Sequence, residues 1–311
     1  MTLPKITIVT PSFNQGTYLE ECILSIVSQG YPNLEYFVID GGSSDESVEI
    51  IKRYEKHLAY WQSEPDGGHY SAVQFGFSRA TGEILGWLNS DDKYPPFSLF
   101  RIAFLFCARP DVDWLTGRSV VWGKAGALEW VAPKSDFRFY NQQAYFDQVF
   151  ESGAQITFIQ QESTFWRRSL WEKAGACFRG DLEYAADLEL WARLFRIAKL
   201  FPVNSIIGGF RSHGENKSIV VRDAYMAEAR RVIQDEISMR HAGPGNKTPP
   251  LIDRPQAEFE DFLIESCPEM NKDEVWRLVQ ASSLADNLVN FYDYIRQQFI
   301  IEIEKAVKGL D

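Results

Sequence analysis

Two adjacent carboxylates, Asp91 and Asp92, close the run Trp87-Leu88-Asn89-Ser90-Asp91-Asp92, directly after a mostly apolar stretch from Glu83 to Leu88. A buried strand ending in paired acids delivers oxygen ligands to its C-terminal edge. Hard divalent cations such as Mg²⁺ or Mn²⁺ take oxygen ligands and are often held by one or two carboxylates together with substrate phosphates. In an open α/β sheet the ligand crevice lies beyond the carboxyl ends of the strands, where this pair would sit. Taken alone, the four polar residues fit a solvated turn equally well, because Asn, Ser and Asp are ordinary loop formers.

The elements needed to position such a pair are legible upstream. Ile6 to Thr10 is a β-branched run, followed by the turn Pro11-Ser12-Phe13-Asn14 and by Leu19, Cys22, Ile23, Ile26 and Val27 at helical spacing. The unit repeats with Tyr36 to Ile39 and Asp40-Gly41-Gly42-Ser43, where Ser43 and Glu46 have capping-box spacing ahead of Val48, Ile51 and Tyr54. A third strand is expected from Ala59 to Gln62, a helix from Tyr70 to Ala80, and a strand from Glu83 to Leu88. Alternation of this kind predicts a Rossmann-like, mostly parallel sheet flanked by helices.

Three polar loops then fall at consecutive strand ends: Ser12 to Gln15, Asp40 to Asp45, and Ser63 to Gly68. Their Gly and Asn content permits close backbone approach, and each following helix offers free N–H groups to an anion. Connecting turns are the plain alternative for each loop separately. Jointly, with the acidic pair on the same edge, they point to a nucleotide site. Neither a G-x-x-x-x-G-K-[ST] loop nor a G-x-G-x-x-G after a strand is present, so P-loop and dinucleotide-cofactor classes lose support.

Composition narrows the class further. The chain has 311 residues, 45% of them hydrophobic, and a formal net charge of −11. That balance argues against a nucleic-acid partner, since affinity for phosphate backbones comes mainly from clustered Lys and Arg. The four cysteines are scattered without a C-x-x-C pair, which suggests reduced thiols, neither a zinc site nor a disulfide framework, and a cytoplasmic location. No apolar run reaches the roughly 18 residues of a spanning helix. Contact with the inner face of the membrane would therefore be peripheral.

Thr7 to Asn14, Val38 to Asp45, Ser63 to Gly68 and Ala80 to Asp92, in that order, resemble the family-2 inverting glycosyltransferases, whose nucleotide-sugar domain has the fold called GT-A. The resemblance covers roughly residues 5 to 220. It implies that Pro11, Ser12, Asn14 and Asp40 cradle the base and ribose, with Asp66 completing that pocket. It implies a Mg²⁺ or Mn²⁺ ion at Ser90-Asp91-Asp92, with Asp92 the direct ligand and Asp91 facing the ribose or the metal's water shell. The cation would neutralise the leaving diphosphate.

Past residue 110 the pattern weakens, then returns in Gln160 to Trp171, where the family places an acceptor-side strand and turn. Gln161, Glu162 and, further on, Trp191 are acceptor-side candidates. Asp187 matches the family's general base, at the start of a helix whose apolar face would be Leu190, Leu194 and Ile197. Its plain alternative is a helix cap, and Glu183 and Glu189 are the other nearby acids. Phe210 to Ser218 closes the resemblance, with His213 expected against the metal or diphosphate; His69, in the donor loop, is a weaker candidate. Ser71 and Gln74 depart from the Asp and Asn usual at their positions, which leaves the nucleotide and sugar open.

These readings divide the chain into a GT-A domain at 1–240, with a nucleotide-sugar half at 1–110 and an acceptor half at 111–240, a linker at 241–254 and a helical C-terminal extension at 255–311. In the extension acids outnumber bases more than two to one, and Leu288, Tyr292, Ile295, Phe299 and Ile303 form a helical stripe that either docks on the same chain or forms a homodimer. The activity implied is transfer of a sugar, most simply UDP-linked, to a hydroxyl of a glycan or lipid-linked glycan precursor. Two rivals are a nucleotidyltransferase, which should carry a Gly-rich loop after the first strand, and a non-catalytic sugar-nucleotide-binding subunit.

Overall fold

A computed structural model describes residues 3–132, 159–203 and 205–242. The expected β-α alternation is present: β1 (Ile6–Ser12), α1 (Gly16–Val27), β2 (Leu34–Asp40), α2 (Ser47–Tyr54), β3 (Tyr60–Ser63), α3 (His69–Arg79) and β4 (Ile84–Trp87). There follow α4 (Ser98–Ala108), β5 (Trp114–Thr116), β6 (Val120–Trp122), β7 (Leu128–Val131), β8 (Thr164–Arg167), α5 (Arg168–Lys173), α6 (Ala186–Phe195), β9 (Leu200–Pro202), β10 (Phe210–Arg211), α7 (Lys217–Val220) and α8 (Arg222–Ala242).

Seven strands form one sheet in the order β3-β2-β1-β4-β8-β5-β9. All its pairings are parallel except those of β8, which runs antiparallel to both β4 and β5. Residues 1–110 and 111–240 thus share a continuous sheet, joined where β4 meets β8. A second sheet, β10-β6-β7, stands beside it. Burial on both faces explains the near-continuous apolar runs of β1 and β2, whose Ile8, Val9, Val38 and Ile39 are fully buried. Each such side chain contributes about 1.5–3 kcal/mol through removal of apolar surface from water.

Close packing fixes the strand ends. On the edge opposite the expected site, buried Glu35 accepts hydrogen bonds from Thr7 Oγ1 (2.6 Å) and from the Thr81 amide (2.7 Å) and hydroxyl (2.5 Å). Those bonds seat the Ala80-Thr81-Gly82 turn and set the register in which β4 enters the sheet. Farther along, Gly86 lies under the Phe165 ring, and a Cβ there would come within 2.6 Å of it.

Three sequence expectations are corrected. Ser43 does not cap α2: its amide and hydroxyl are both committed to Asp40, and Asp45 Oδ1 instead accepts the Ser47 amide at 3.0 Å. Trp191 is not on an acceptor surface. It is 1% exposed, stacked on Trp87 (centroids 5.9 Å) and Trp114 (5.8 Å), with Trp166 edge-on at 5.5 Å. Ile197 lies beyond α6 and is exposed, whereas Leu190 and Leu194 are buried as expected. No helix among the described residues is long and apolar enough to cross a membrane. The proposed extension, its apolar stripe and all but the start of the linker lie outside the described residues.

Candidate active site

Register alone brings the three polar loops together. Ser12 of β1 pairs with Asp40 of β2, and Asp40 with Ser63 of β3, so the loops leave the sheet from one row. Asp40 is fully buried and organises them: Oδ2 accepts from Ser63 Oγ (2.6 Å), the Ser43 amide (2.8 Å) and the Gly42 amide (3.2 Å), and Oδ1 from Ser43 Oγ (2.6 Å). Asn14, at φ 51°, ties the first loop to the second through Ser43 Oγ (2.7 Å) and the Ser44 amide (2.9 Å). The left-handed conformation is one that Asn tolerates better than most residues. Asp66 packs against Gly41, where a Cβ would lie 3.3 Å from both carboxylate oxygens. Pro11 and Ser12 are buried at the base of this cradle, and Phe13, 60% exposed, presents its ring at the mouth.

The two members of the acidic pair differ in burial. Asp92 is fully buried, its Oδ1 accepting the Arg211 amide (2.7 Å) and its Oδ2 the Asn89 side-chain amide (2.9 Å). Asn89 also donates to Glu162, which is buried as well. Burial, then repulsion from Glu162 and Asp91, pushes Asp92 well above the usual carboxylate range; burial likewise raises Glu162 to about 7. Two carboxyls in one dry site share a proton rather than both ionising. Asp92 thus faces inward, with one hydrogen bond accepted at each oxygen.

Asp91 is less deeply buried, its side chain 17% exposed. Its Oδ2 lies 3.0 Å from His213 Nε2 and 3.4 Å from Asn216 Nδ2. Asn216 fixes this loop in turn, accepting the His213 amide (2.9 Å) and donating to the Arg211 carbonyl (2.7 Å). The imidazole stacks on Tyr18 at 4.7 Å. Beneath it the Arg211 guanidinium is buried, bonded to the Asp91 carbonyl (2.6 Å) and to Glu21 (2.6 Å), which also binds Lys93 (2.7 Å). A carboxylate oxygen beside an imidazole nitrogen suits a divalent cation that accepts both donor types, as Mn²⁺ does. Among the described residues no cluster of three or more such side chains is present. The remaining ligands would come from phosphate and water, the usual arrangement for these ions.

Asp187 sits in the first turn of α6, partly open to solvent. Burial raises its carboxyl to about 6, although the Leu188 amide (2.7 Å) and the hydroxyls of Tyr70 (3.3 Å) and Tyr225 (3.4 Å) oppose the shift. Of the neighbouring acids, Glu189 is clamped by Arg193 at 2.8 and 2.9 Å, and Glu183 is exposed near Lys217. Among the described residues, Asp187 is thus the one of the three that is recessed and without an ion pair. It is not the N-cap, a position held by Ala185 without a side-chain bond.

Gln161 is buried and donates to the Trp87 carbonyl, so with Glu162 it underlies the acidic motif instead of lining an acceptor surface. Gln74 bonds the Ala176 carbonyl (3.0 Å) and the Phe178 amide (2.9 Å), holding the segment ahead of α6. His69, at the start of α3, is held to about 4 by burial and by the charge of Lys217, so it is neutral at physiological pH. Sequence reasoning missed Phe13, Tyr70, Tyr225 and Glu228. Only Phe13 had a local signal, an aromatic inside a polar loop.

Comparison with known proteins agrees with this architecture. The sequence model of glycosyl transferase family 2 matches residues 7–175, more than half the chain. Rv1514c, an uncharacterized glycosyltransferase of Mycobacterium tuberculosis, is 29% identical over 219 residues, covering 68% of this chain and 76% of that protein. Staphylococcus aureus TarS 1–349, solved with UDP-GlcNAc, superposes with a TM-score of 0.58 at 16% identity, over 98% of this chain and 83% of that one. The mannosyltransferase PcManGT of Pyrobaculum calidifontis, solved with GDP-Man and Mn²⁺, gives 0.55 at 18% identity, over 100% and 89%. At these identities the structural likeness carries the fold, which is GT-A, and the sequence match carries the family: the chain is a glycosyltransferase belonging to glycosyl transferase family 2.

Proposed function

We propose that the protein transfers a sugar, with inversion, from a nucleoside diphosphate sugar to a hydroxyl on a glycan or lipid-linked glycan precursor. The observation that supports this reading is the juxtaposition of Asp91 and His213, 3.0 Å apart, beyond the C-terminal end of β4, on the same edge of the sheet that bears the Asp40 cradle. Residues 1–110 supply the nucleotide cradle, and 111–240 supply His213 and the acceptor side. Phe13 offers a ring face to the base, and the Asp40 and Asp66 loops offer polar edges to base and ribose. A UDP-linked donor is the simplest choice, supported by the likeness to TarS with UDP-GlcNAc; the PcManGT likeness keeps GDP-linked donors within the test.

Asp91 and His213 would hold Mn²⁺ or Mg²⁺, which when bound supplies positive charge against the departing diphosphate. Asp92, more deeply buried and bonded to the Arg211 amide, holds the turn that aims Asp91. On the acceptor side Asp187 takes the hydroxyl proton. A carboxyl raised to about 6 is a better base than an ordinary Asp and is still ionised at neutral pH. Inversion needs one base on the face opposite the leaving group, so Asp187 alone meets the proton requirement.

The test is a thermal-shift panel of UDP, GDP, dTDP and CMP with and without Mn²⁺. A ligand that binds only the folded state stabilises by RT ln(1 + [L]/Kd). One diphosphate should raise Tm in a metal-dependent way, and release of that diphosphate from its sugar should require Asp187. Absence of any metal-dependent shift would contradict the reading.

A further inference from the structure

Helix α8 lies beyond residue 175, where the family match ends, yet it supports the turn that carries Asp187. Tyr225, Ala229, Val232, Ile233 and Glu236 recur at helical spacing. Ala229, Val232 and Ile233 are buried in the same core as Leu188, Leu190 and Leu194 of α6. Beside this apolar face, the Glu228 carboxylate accepts three consecutive backbone N–H groups, those of Glu183 (3.0 Å), Tyr184 (2.8 Å) and Ala185 (2.9 Å). They immediately precede α6. Backbone amides at a helix start lack intrahelical acceptors, and negative charge there is favoured by the helix dipole.

The same turn is held from a second side. Tyr70 Oη, on α3, lies 2.8 Å from the Tyr184 carbonyl and 3.3 Å from Asp187 Oδ1, while Tyr225 Oη approaches that Oδ1 at 3.4 Å. We propose that α8 is a positioning element for the base, with Glu228 fixing the turn that carries Asp187 and Tyr225, together with Tyr70, orienting its carboxylate. This rests on the reading of Asp187 as the base. Among the described residues the other ionisable groups around this site include Glu228 of α8, Glu162 from the turn before β8 and His69, edge-on to the Tyr70 ring; the cations include Lys217, over the Tyr184 ring and near Glu183, and Arg231, whose charge acts on Glu228. A staple with no catalytic consequence would stabilise the fold without changing how Asp187 titrates.

Carboxyl ¹³C NMR on the full chain separates these cases, with the Asp187 resonance assigned by its loss in Asp187→Asn. The wild-type midpoint is expected near 6. Tyr225→Phe removes a donor to the charged form and should raise that midpoint by roughly half a unit or more. Glu228→Gln should speed hydrogen exchange of the amides of residues 183–185 by about tenfold or more while the rest of the core stays protected. Turnover of UDP-glucose, UDP-GlcNAc and GDP-mannose with Mn²⁺ adds a second readout, in which both variants should lower kcat and leave the donor KM in place. An unmoved Asp187 midpoint in Tyr225→Phe, or wild-type exchange at 183–185 in Glu228→Gln, overturns the proposal. If Asp187→Asn retains full turnover, the base assignment itself fails. If Asp187→Asn is inactive while both α8 variants behave as wild type, only the role of α8 fails.

Discussion

His213 Nε2 lies 3.0 Å from Asp91 Oδ2, although the two residues are 122 positions apart in the chain. The contact is made by folding the Phe210–Arg211 strand against β6, with the Arg211 backbone and guanidinium gripping the acidic turn from below. Asp91 and His213 thereby become one unit, and Asp92 becomes part of its foundation.

Asp91→Asn should abolish metal-dependent nucleotide binding while changing the metal-free Tm by only a few degrees, and His213→Ala should abolish it with a larger loss of Tm because it empties a buried site against Tyr18. Asp92→Ala should act differently, because it strands the buried Arg211 amide. Loss of a buried partner costs about 1–3 kcal/mol. Calorimetric titration with Mn²⁺, alongside thermal melts of the three variants, distinguishes them. Equal loss of stability in all three would contradict the division of roles.

Asp187→Asn should retain nucleotide binding and lose turnover by roughly 10² to 10⁴ fold, the usual span for an acid–base group. In the wild type, kcat should fall as pH drops through about 6, where Asp187 takes up its proton. A profile flat down to pH 4.5 would exclude Asp187 as the base.

A carboxyl raised by burial binds its proton more tightly in the folded than in the unfolded chain. Its favourable contribution is therefore complete at low pH and is lost as pH rises from the ordinary Asp value to about 6. Asp187→Asn removes the buried charge. Relative to wild type, the variant should be little changed at pH 4 and more stable at pH 8, by at most about 3 kcal/mol for a shift of this size. Melting curves at the two pH values test this, and a variant less stable at pH 8 would contradict it.

Trp191→Ala should lower stability by about 3–5 kcal/mol, the range for emptying a large aromatic site in a core. Its effect on kcat per folded molecule should be small. A selective rise in acceptor KM without loss of Tm would return Trp191 to the acceptor surface.

Much of the donor side was legible because its chemistry is local. Polar loops rich in Gly, Asn and Ser followed each short apolar run, and parallel register then aligned Ser12, Asp40 and Ser63 without further instruction. The deeper burial of Asp92 relative to Asp91 was not legible, since it depends on a backbone donor 119 residues away. Ser43 had the spacing of a cap, but Asp40, three residues earlier, outcompeted the helix for its hydroxyl. Trp191 illustrates a third kind of failure. An aromatic on an amphipathic helix suits a core or a sugar platform equally, and only the neighbouring Trp87 and Trp114 rings decide. The antiparallel β8 and the grip of Glu228 on residues 183–185 are likewise long-range pairings with no periodic signature.

The most direct measurement of the central claim is titration of the nucleoside diphosphate panel into wild type and Asp91→Asn, each with and without Mn²⁺. One nucleotide should bind the wild type at least about tenfold more tightly with the metal, a difference of about 1.4 kcal/mol. That gain should vanish in Asp91→Asn. Binding that is indifferent to Mn²⁺, or a metal effect that survives in Asp91→Asn, would contradict the assignment of this edge as the metal-assisted donor site.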